Sequence, residues 1–184
     1  MSQHSFVFKI AVVGDGRVGK TTLIKKYTHS SFQKDYKKTI GAELSIYNKT
    51  INEEQIKLQF WDIAGQDSFH FLRPSFFKKS NAAIIVYSLE NNNLGEKSFE
   101  NITYWYDETL KYCSEIPIVF FANKVDLINE KDINESRIQK ISKKYNFLGH
   151  YVTSAKTGQG VVEGFDSIIE ELYNKSSKTI PASD

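Results

Sequence analysis

Apolar and polar positions along the chain follow two periods in turn. Short runs rich in Val, Ile, Phe and Ala predict strands over about 6–13, 42–50, 55–62, 82–89, 116–122 and 148–153. A period near 3.6 predicts helices over about 20–29, 97–113, 133–145 and 161–175. The runs Ala82-Ala-Ile-Ile-Val-Tyr87 and Ile116-Pro-Ile-Val-Phe-Phe-Ala122 contain almost no polar position. A strand buried on both faces has this appearance, so both belong in the middle of a parallel sheet. Segments 42–50 and 55–62 are separated only by Ile51-Asn-Glu-Glu54, too little chain for a crossover helix, and they should form an antiparallel hairpin at one edge. The alternation as a whole predicts an α/β fold of three layers. It has six mostly parallel strands, one antiparallel edge strand and helices on both faces. Ligands of open sheets of this type sit at the carboxyl ends of the strands, so chemistry is expected on the loops that follow them.

Composition narrows the class without identifying it. A chain of 184 residues suits one domain, expected over 1–175 with a polar tail over 176–184. The balance of 24 basic against 22 acidic residues gives no support to nucleic-acid binding. Cys113 is the only cysteine, which excludes an internal disulfide and points to the cytoplasm; its spacing from Ile102, Tyr106 and Leu110 predicts packing on a helix. The histidines at 4, 29, 70 and 150 are scattered and suggest no metal site. No stretch approaches the roughly 20 apolar residues that span a bilayer. The N-terminus carries neither a signal sequence nor a myristoylation glycine, and Lys178 to Asp184 offers no cysteine to prenylate. A soluble monomer is expected, at a membrane periphery only if the native chain extends beyond Asp184.

Gly14 to Thr21 reads Gly-Asp-Gly-Arg-Val-Gly-Lys-Thr, a full match to G-x-x-x-x-G-K-[ST] between a predicted strand and a predicted helix. In that setting the backbone N–H groups of Gly16, Arg17, Val18, Gly19, Lys20, Thr21 and Thr22 converge on phosphates, and the helix adds the positive end of its dipole. Lys20 is expected at the outer phosphates and Thr21 on Mg²⁺. Arg17 is an unusual residue so close to phosphate, and its side chain should point outward.

Asp62-Ile-Ala-Gly65-Gln66 follows the third strand. It supplies a carboxylate for Mg²⁺, a glycine N–H for a γ-phosphate, and in Gln66 an amide able to orient an attacking water. Asn123-Lys-Val-Asp126 and Ser154-Ala-Lys156 follow the fifth and sixth strands. Asp126 can accept from both guanine donors, an arrangement adenine cannot match, while Lys124 can lie on the base plane. Asn123 can tie the base loops together, and the Ala155 N–H can meet the guanine oxygen. Four such motifs in order, each after a strand, specify GTP and GDP over ATP and disfavour an ATP-using kinase or ATPase.

On these motifs, with Tyr36-Lys-Lys-Thr-Ile-Gly41 and Trp61-Asp-Ile-Ala-Gly-Gln66, residues 6 to 175 resemble the Ras-superfamily small GTPases. Thr39-Ile-Gly-Ala-Glu43 and Lys57-Leu-Gln-Phe-Trp-Asp62 make the resemblance Rab-like. The resemblance implies the P-loop small GTPase fold and a GTP-hydrolysing switch of membrane-traffic type, with a non-hydrolysing GTP-binding scaffold as the alternative. It implies that Thr39 joins Mg²⁺ and the γ-phosphate, that Phe32 packs on the base, and that Tyr36 closes over the phosphates. Gln66, Lys20 and Thr39 are then the catalytic set, and Thr21, Thr39 and Asp62 the metal set. Effectors, activating proteins and exchange factors would read two switch regions, 32–41 and 64–79. Leu44, Trp61 and Phe76 take the family's partner-facing positions, and in the second switch region Phe69, Phe71, Leu72 and Phe77 either join them or cover the core. Hydrolysis is expected to be slow alone, because no arginine stands out as an internal charge donor and Arg73 is a weak candidate. The chain departs from Rab proteins at Leu44, at Phe69-His-Phe-Leu-Arg-Pro74, at Tyr87-Ser-Leu-Glu90 and in lacking C-terminal cysteines.

Overall fold

A computed structural model describes residues 6–29, 39–65 and 71–178. Among them the chain runs β1 (Phe6–Val13), α1 (Lys20–His29), β2 (Ala42–Ile51), β3 (Glu54–Ile63), α2 (Arg73–Phe77), β4 (Ala82–Ser88), α3 (Asn93–Glu100) and α4 (Ile102–Cys113). It continues with β5 (Ile118–Asn123), α5 (Glu135–Tyr145), β6 (Gly149–Thr153) and α6 (Val161–Ser177). The six strands form one sheet in the order β2-β3-β1-β4-β5-β6. The β2–β3 pair is antiparallel and every other pair is parallel, as the four-residue separation required.

Strand alternation sorts the core into two layers. Ile10 and Val12 of β1, with Ile84 and Val86 of β4, pack against Leu23 and Ile24 of α1 and Phe165, Ile168 and Ile169 of α6. Their neighbours Ala11, Val13, Ala83 and Ile85 face Phe77, Phe99, Ile102, Trp105 and Ile138 on the opposite side. Every residue of β4 and β5 is buried, the pattern of doubly covered central strands. Edge strand β2 has no buried residue. The Tyr27 hydroxyl and the Lys49 ammonium both donate to Asp166 Oδ1 at 2.6 Å, which pins α1 and β2 to α6.

Element boundaries move for identifiable reasons. The helix predicted over 97–113 begins at Asn93, because Asn92 is extended and its side chain accepts from the Gly95 N–H at 3.0 Å, an N-cap concealed in an asparagine run. It divides at Asn101, which lies at φ −77°, ψ −1°. Asn134 caps α5 in the same way and delays its start to Glu135. Strand β5 begins at Ile118, just past Pro117, which has no N–H to give a ladder. Helix α2 was not predicted: five residues with a proline in the first turn carry too little periodicity. Cys113 is half-buried and its thiol donates to the Phe77 carbonyl at 3.2 Å, which fits a packing role.

Candidate functional site

The loop between β1 and α1 is built from backbone that tolerates little else. Gly14 has φ +138°, and a Cβ there would lie 2.1 Å from the Val86 carbonyl oxygen, so only glycine fits between β1 and β4. Arg17 takes φ +68° and its side chain is exposed, the outward orientation expected of it. Val18 is fully buried in the α1/α6 layer, which leaves its backbone as its contribution to the loop. Gly16 and Thr22 are half-buried on either side. Lys20 is buried, and its ammonium donates to the Gly14 and Asp15 carbonyls at 2.8 Å each. Burial pushes that ammonium down to about 8, against the pull of Asp62 and Asp15.

Three oxygen-bearing residues converge beside the loop. The Thr21 hydroxyl donates to Asp62 Oδ2 and lies 3.2 Å from the Thr39 hydroxyl, which in turn donates to the same carboxylate oxygen at 3.2 Å. Asp62 is 2% exposed, and its Oδ1 is buried without a hydrogen-bond partner. Two hydroxyls and a carboxylate with an orphaned oxygen are hard donors and suit Mg²⁺. Among the described residues there is no cluster of three or more His, Cys, Asp or Glu side chains for another kind of metal site. Gly65 follows directly: a Cβ on it would lie 2.3 Å from the Gly14 oxygen and 2.6 Å from the Gly16 nitrogen, so its backbone rests on the phosphate loop. Gln66, Phe32 and Tyr36 lie outside the described residues.

The loops after β5 and β6 meet at Asn123, which is 1% exposed. Its Oδ1 accepts from the Ala155 N–H and the Thr153 hydroxyl at 3.2 Å each, and its Nδ2 donates to the Val18 carbonyl at 2.9 Å. The Ser154 hydroxyl donates to Asp126 Oδ1 at 2.6 Å, while Oδ2 has Lys156 at 3.8 Å and leaves the carboxylate room for further donors. Lys124 has φ +72° and its ammonium lies 2.5 Å from Glu90 Oε2. The structure therefore brings the loop residues, the metal set and the base set to one end of the sheet, above the carboxyl ends of β1, β3, β5 and β6.

Sequence reasoning missed Asp15, Trp105 and Glu90. Asp15 accepts from the Trp105 indole and from Asn101 Nδ2, both at 2.8 Å. Trp105 reads in sequence as one more apolar helix position. Glu90 carried a signal, as an acid two residues past the end of a buried strand, where ligands collect. Phe77 is fully buried and belongs to the core, whereas Phe71 is 65% exposed. Leu72 and Phe76 are half-buried. Leu44 pairs with Trp61 across β2 and β3, and Trp61 meets Phe76 with ring centroids 5.8 Å apart, which gathers those three on one surface. Phe69 lies outside the described residues.

Known proteins resemble this chain over most of its length. Residues 9–174 match the model of the Ras family. The chain is 30% identical to the Ras-related protein Rab-7b of Paramecium octaurelia over 100% of its own length and 94% of that protein. It is 31% identical to the Ras-related protein Rab-7L1 of Rattus norvegicus over 100% of its length and 90% of the relative. With the Ras-related protein Rab7 of Drosophila melanogaster the identity is 34%, over 88% of this chain and 78% of the other.

Proposed function

This chain belongs to the Ras family as a Rab-like small GTPase, and on that premise we propose that it is a switch that hydrolyses GTP to GDP and phosphate and recruits partners while GTP is bound, in membrane-traffic regulation. The observation that carries the reading is the Asn123 bridge to Val18 and Ala155, since it joins a guanine-reading loop to a phosphate-binding loop at one site. Asp126 accepts from guanine, and a base without that donor pair leaves a desolvated carboxylate unpaired, which is how ATP is rejected.

The residues of the chain act by positioning. Lys20 exchanges two backbone carbonyls for phosphate oxygens, and the loop N–H groups stabilise the charge that spreads over the γ-phosphoryl group. Thr21, Thr39 and Asp62 would hold Mg²⁺, which when bound neutralises charge on the β- and γ-oxygens. Gln66 orients the water for in-line attack. Arg73 does not serve as an internal arginine finger: it is 1% exposed and engaged by Tyr104, Trp105 and Glu108. An activating protein supplies the missing charge. Partners read the switch regions together with Leu44, Trp61 and Phe76, alongside exposed Ile40 and Ile46. Among the described residues no helix is long and apolar enough to cross a membrane.

The test has two stages. Competition for a fluorescent guanine nucleotide should favour GTP over ATP by orders of magnitude; equal competition would defeat the guanine assignment. Multiple-turnover phosphate release should be slow in the wild type and fall further in Gln66→Leu with GTP binding preserved. No release under any activator would leave the non-hydrolysing scaffold.

A further inference from the structure

We infer that a cavity between α3 and α5 is a second ligand site, which takes a small neutral molecule with an apolar ring and a hydrogen-bond acceptor, of the class of an aromatic carboxamide. The cavity holds about 660 Å³, a size typical of small-molecule sites. Its wall includes Tyr87-Ser-Leu-Glu90, one of the stretches in which the chain departs from Rab proteins. None of residues 16–22, nor Asn123, Lys124, Asp126 or Ala155, lines it, so it is distinct from the proposed nucleotide site.

The apolar part of the wall lies inward. Phe99 and Ile138 are buried there, and Leu89, Ile128 and Ile133 are half-buried. Leu127 is the only large apolar residue of the lining that is exposed. A protein-docking surface has the opposite arrangement, with its apolar residues out in a patch, so a small occupant fits better.

Tyr87 supplies the polar anchor. It is 3% exposed, and its hydroxyl is buried with no hydrogen-bond partner among the described residues. Burial pushes that hydroxyl further above its ordinary range, so it keeps a proton to donate. A buried donor without a partner is costly, and a ligand oxygen that accepts from it offsets the penalty. Asn129 and Asn134 of the wall use their amide oxygens to accept from the Lys131 and Arg137 N–H groups, which leaves their own N–H groups as donors. The unmatched groups of the wall therefore call for an acceptor.

Charge on the wall disfavours an ion. Arg137 donates to both carboxylate oxygens of Glu96, at 2.9 and 2.6 Å, and its guanidinium carbon lies 3.9 Å from the Phe99 ring centroid. Asp132 adds a further carboxylate. An anion would meet Asp132, and a cation would meet the Arg137 guanidinium. The Glu96 and Arg137 side chains are 57% and 39% exposed, and a pair at that exposure opens at little cost as a ligand enters.

The test is a titration of the full chain with benzamide, followed by the NMR shifts of the Tyr87, Phe99 and Ile138 amides, with and without saturating GDP. Binding should be of millimolar order, the range open to so small a ligand, and the same in both conditions. No shift at about 10 mM, or loss of the shifts when GDP is added, would overturn the site. Tyr87→Phe removes only the hydroxyl and should weaken benzamide about ten-fold. Toluene, which has the ring and no acceptor, should bind both proteins alike. Equal benzamide affinity in the two proteins would mean that solvent serves the hydroxyl, and the acceptor assignment would fall. Benzoate should bind at least about ten-fold more weakly than benzamide, and equal binding would defeat the neutral class. N-acetylphenylalanine amide carries the same groups on a peptide backbone; binding about ten-fold tighter than benzamide would transfer the site to a partner's peptide. If Tyr87→Phe fails to fold, Ile133→Trp decides, because it fills the cavity from a half-buried position and should abolish binding of benzamide and toluene alike. Binding that survives it would place the ligand elsewhere.

Discussion

Asn123 donates its side-chain amide to the Val18 carbonyl at 2.9 Å and so clasps the loop after β5 to the loop between β1 and α1. The amide oxygen is occupied on its other side by the Ala155 N–H and the Thr153 hydroxyl. Asn123→Ala leaves all three groups buried without this partner, at a cost of about 1–3 kcal/mol for each group that finds no substitute. The expected outcome is a loss of about 3 kcal/mol in nucleotide-free stability by urea unfolding, with guanine-nucleotide affinity down at least about ten-fold. A change within about 0.5 kcal/mol would show that the clasp is not structural.

Through its contact with Lys124, Glu90 stands beside the proposed base site and outside the recognised motifs. Burial works against its charge, but hydrogen bonds from Lys124 and Ser88 outweigh that and hold the carboxyl below its usual range. The carboxylate fixes the Lys124 ammonium at 2.5 Å and thereby the stem expected to lie on the base. Glu90→Gln removes the charge and keeps the shape, so release of GDP should accelerate by about three- to ten-fold, equivalent to roughly 1 kcal/mol. The advantage of the wild type should be complete above the ordinary carboxylate range and vanish in acid as Glu90 protonates. Stopped-flow displacement of a fluorescent GDP at several pH values reads both effects. Equal release rates at neutral pH would remove Glu90 from the site.

The sheet and the motif order were legible because both depend on local rules. Two fully apolar runs could only be central strands, and a four-residue gap could only close a hairpin. Helix starts were less legible: Asn92 and Asn134 act through caps, and an asparagine in an asparagine-rich stretch reads equally well as loop. The candidate site divided along a similar line. Lys20, Thr21, Asp62, Asn123 and Asp126 sit at fixed offsets from glycines and strand ends, so spacing found them. Asp15, Glu90 and Trp105 matter through partners 90, 34 and 90 residues away, which no spacing encodes.

Lys20 should give the nucleotide-free protein an alkaline gain in stability. Its ammonium sits near 8 in the folded chain and near the ordinary lysine value of about 10.4 when unfolded. Below pH 8 both states are protonated and the cost of burying the charge is present in full. Between about 8 and 10 the unfolded chain binds more protons, so stability rises with pH by up to about 3 kcal/mol. Phosphates restore the proton, so nucleotide binding takes one up above pH 8 and affinity declines by up to about ten-fold per unit. Denaturation and nucleotide titrations from pH 7 to 10 check both slopes. Persistence of both in Lys20→Met would assign them to another group.

On the proposed mechanism, substitution of Gly65 should separate binding from hydrolysis. The three nearest atoms to an added Cβ are the Gly14 oxygen at 2.3 Å, the Asp15 carbonyl carbon at 2.5 Å and the Gly16 nitrogen at 2.6 Å. All are backbone atoms of the phosphate loop, which cannot swing aside as a side-chain tip would. On the proposed mechanism Gly65→Ala should shift the backbone at position 65, and with it the hydrolytic step, while Asn123, Asp126 and Ala155 remain in place. A displacement of about 1 Å at a positioning group costs on the order of a hundred-fold in rate. Single-turnover hydrolysis should fall by about that factor, with GDP affinity held within about three-fold because in the proposed site the Gly65 N–H serves only the γ-phosphate. Hydrolysis at the wild-type rate in a folded Gly65→Ala protein would mean that the contact between Gly65 and the phosphate loop has no part in the chemistry.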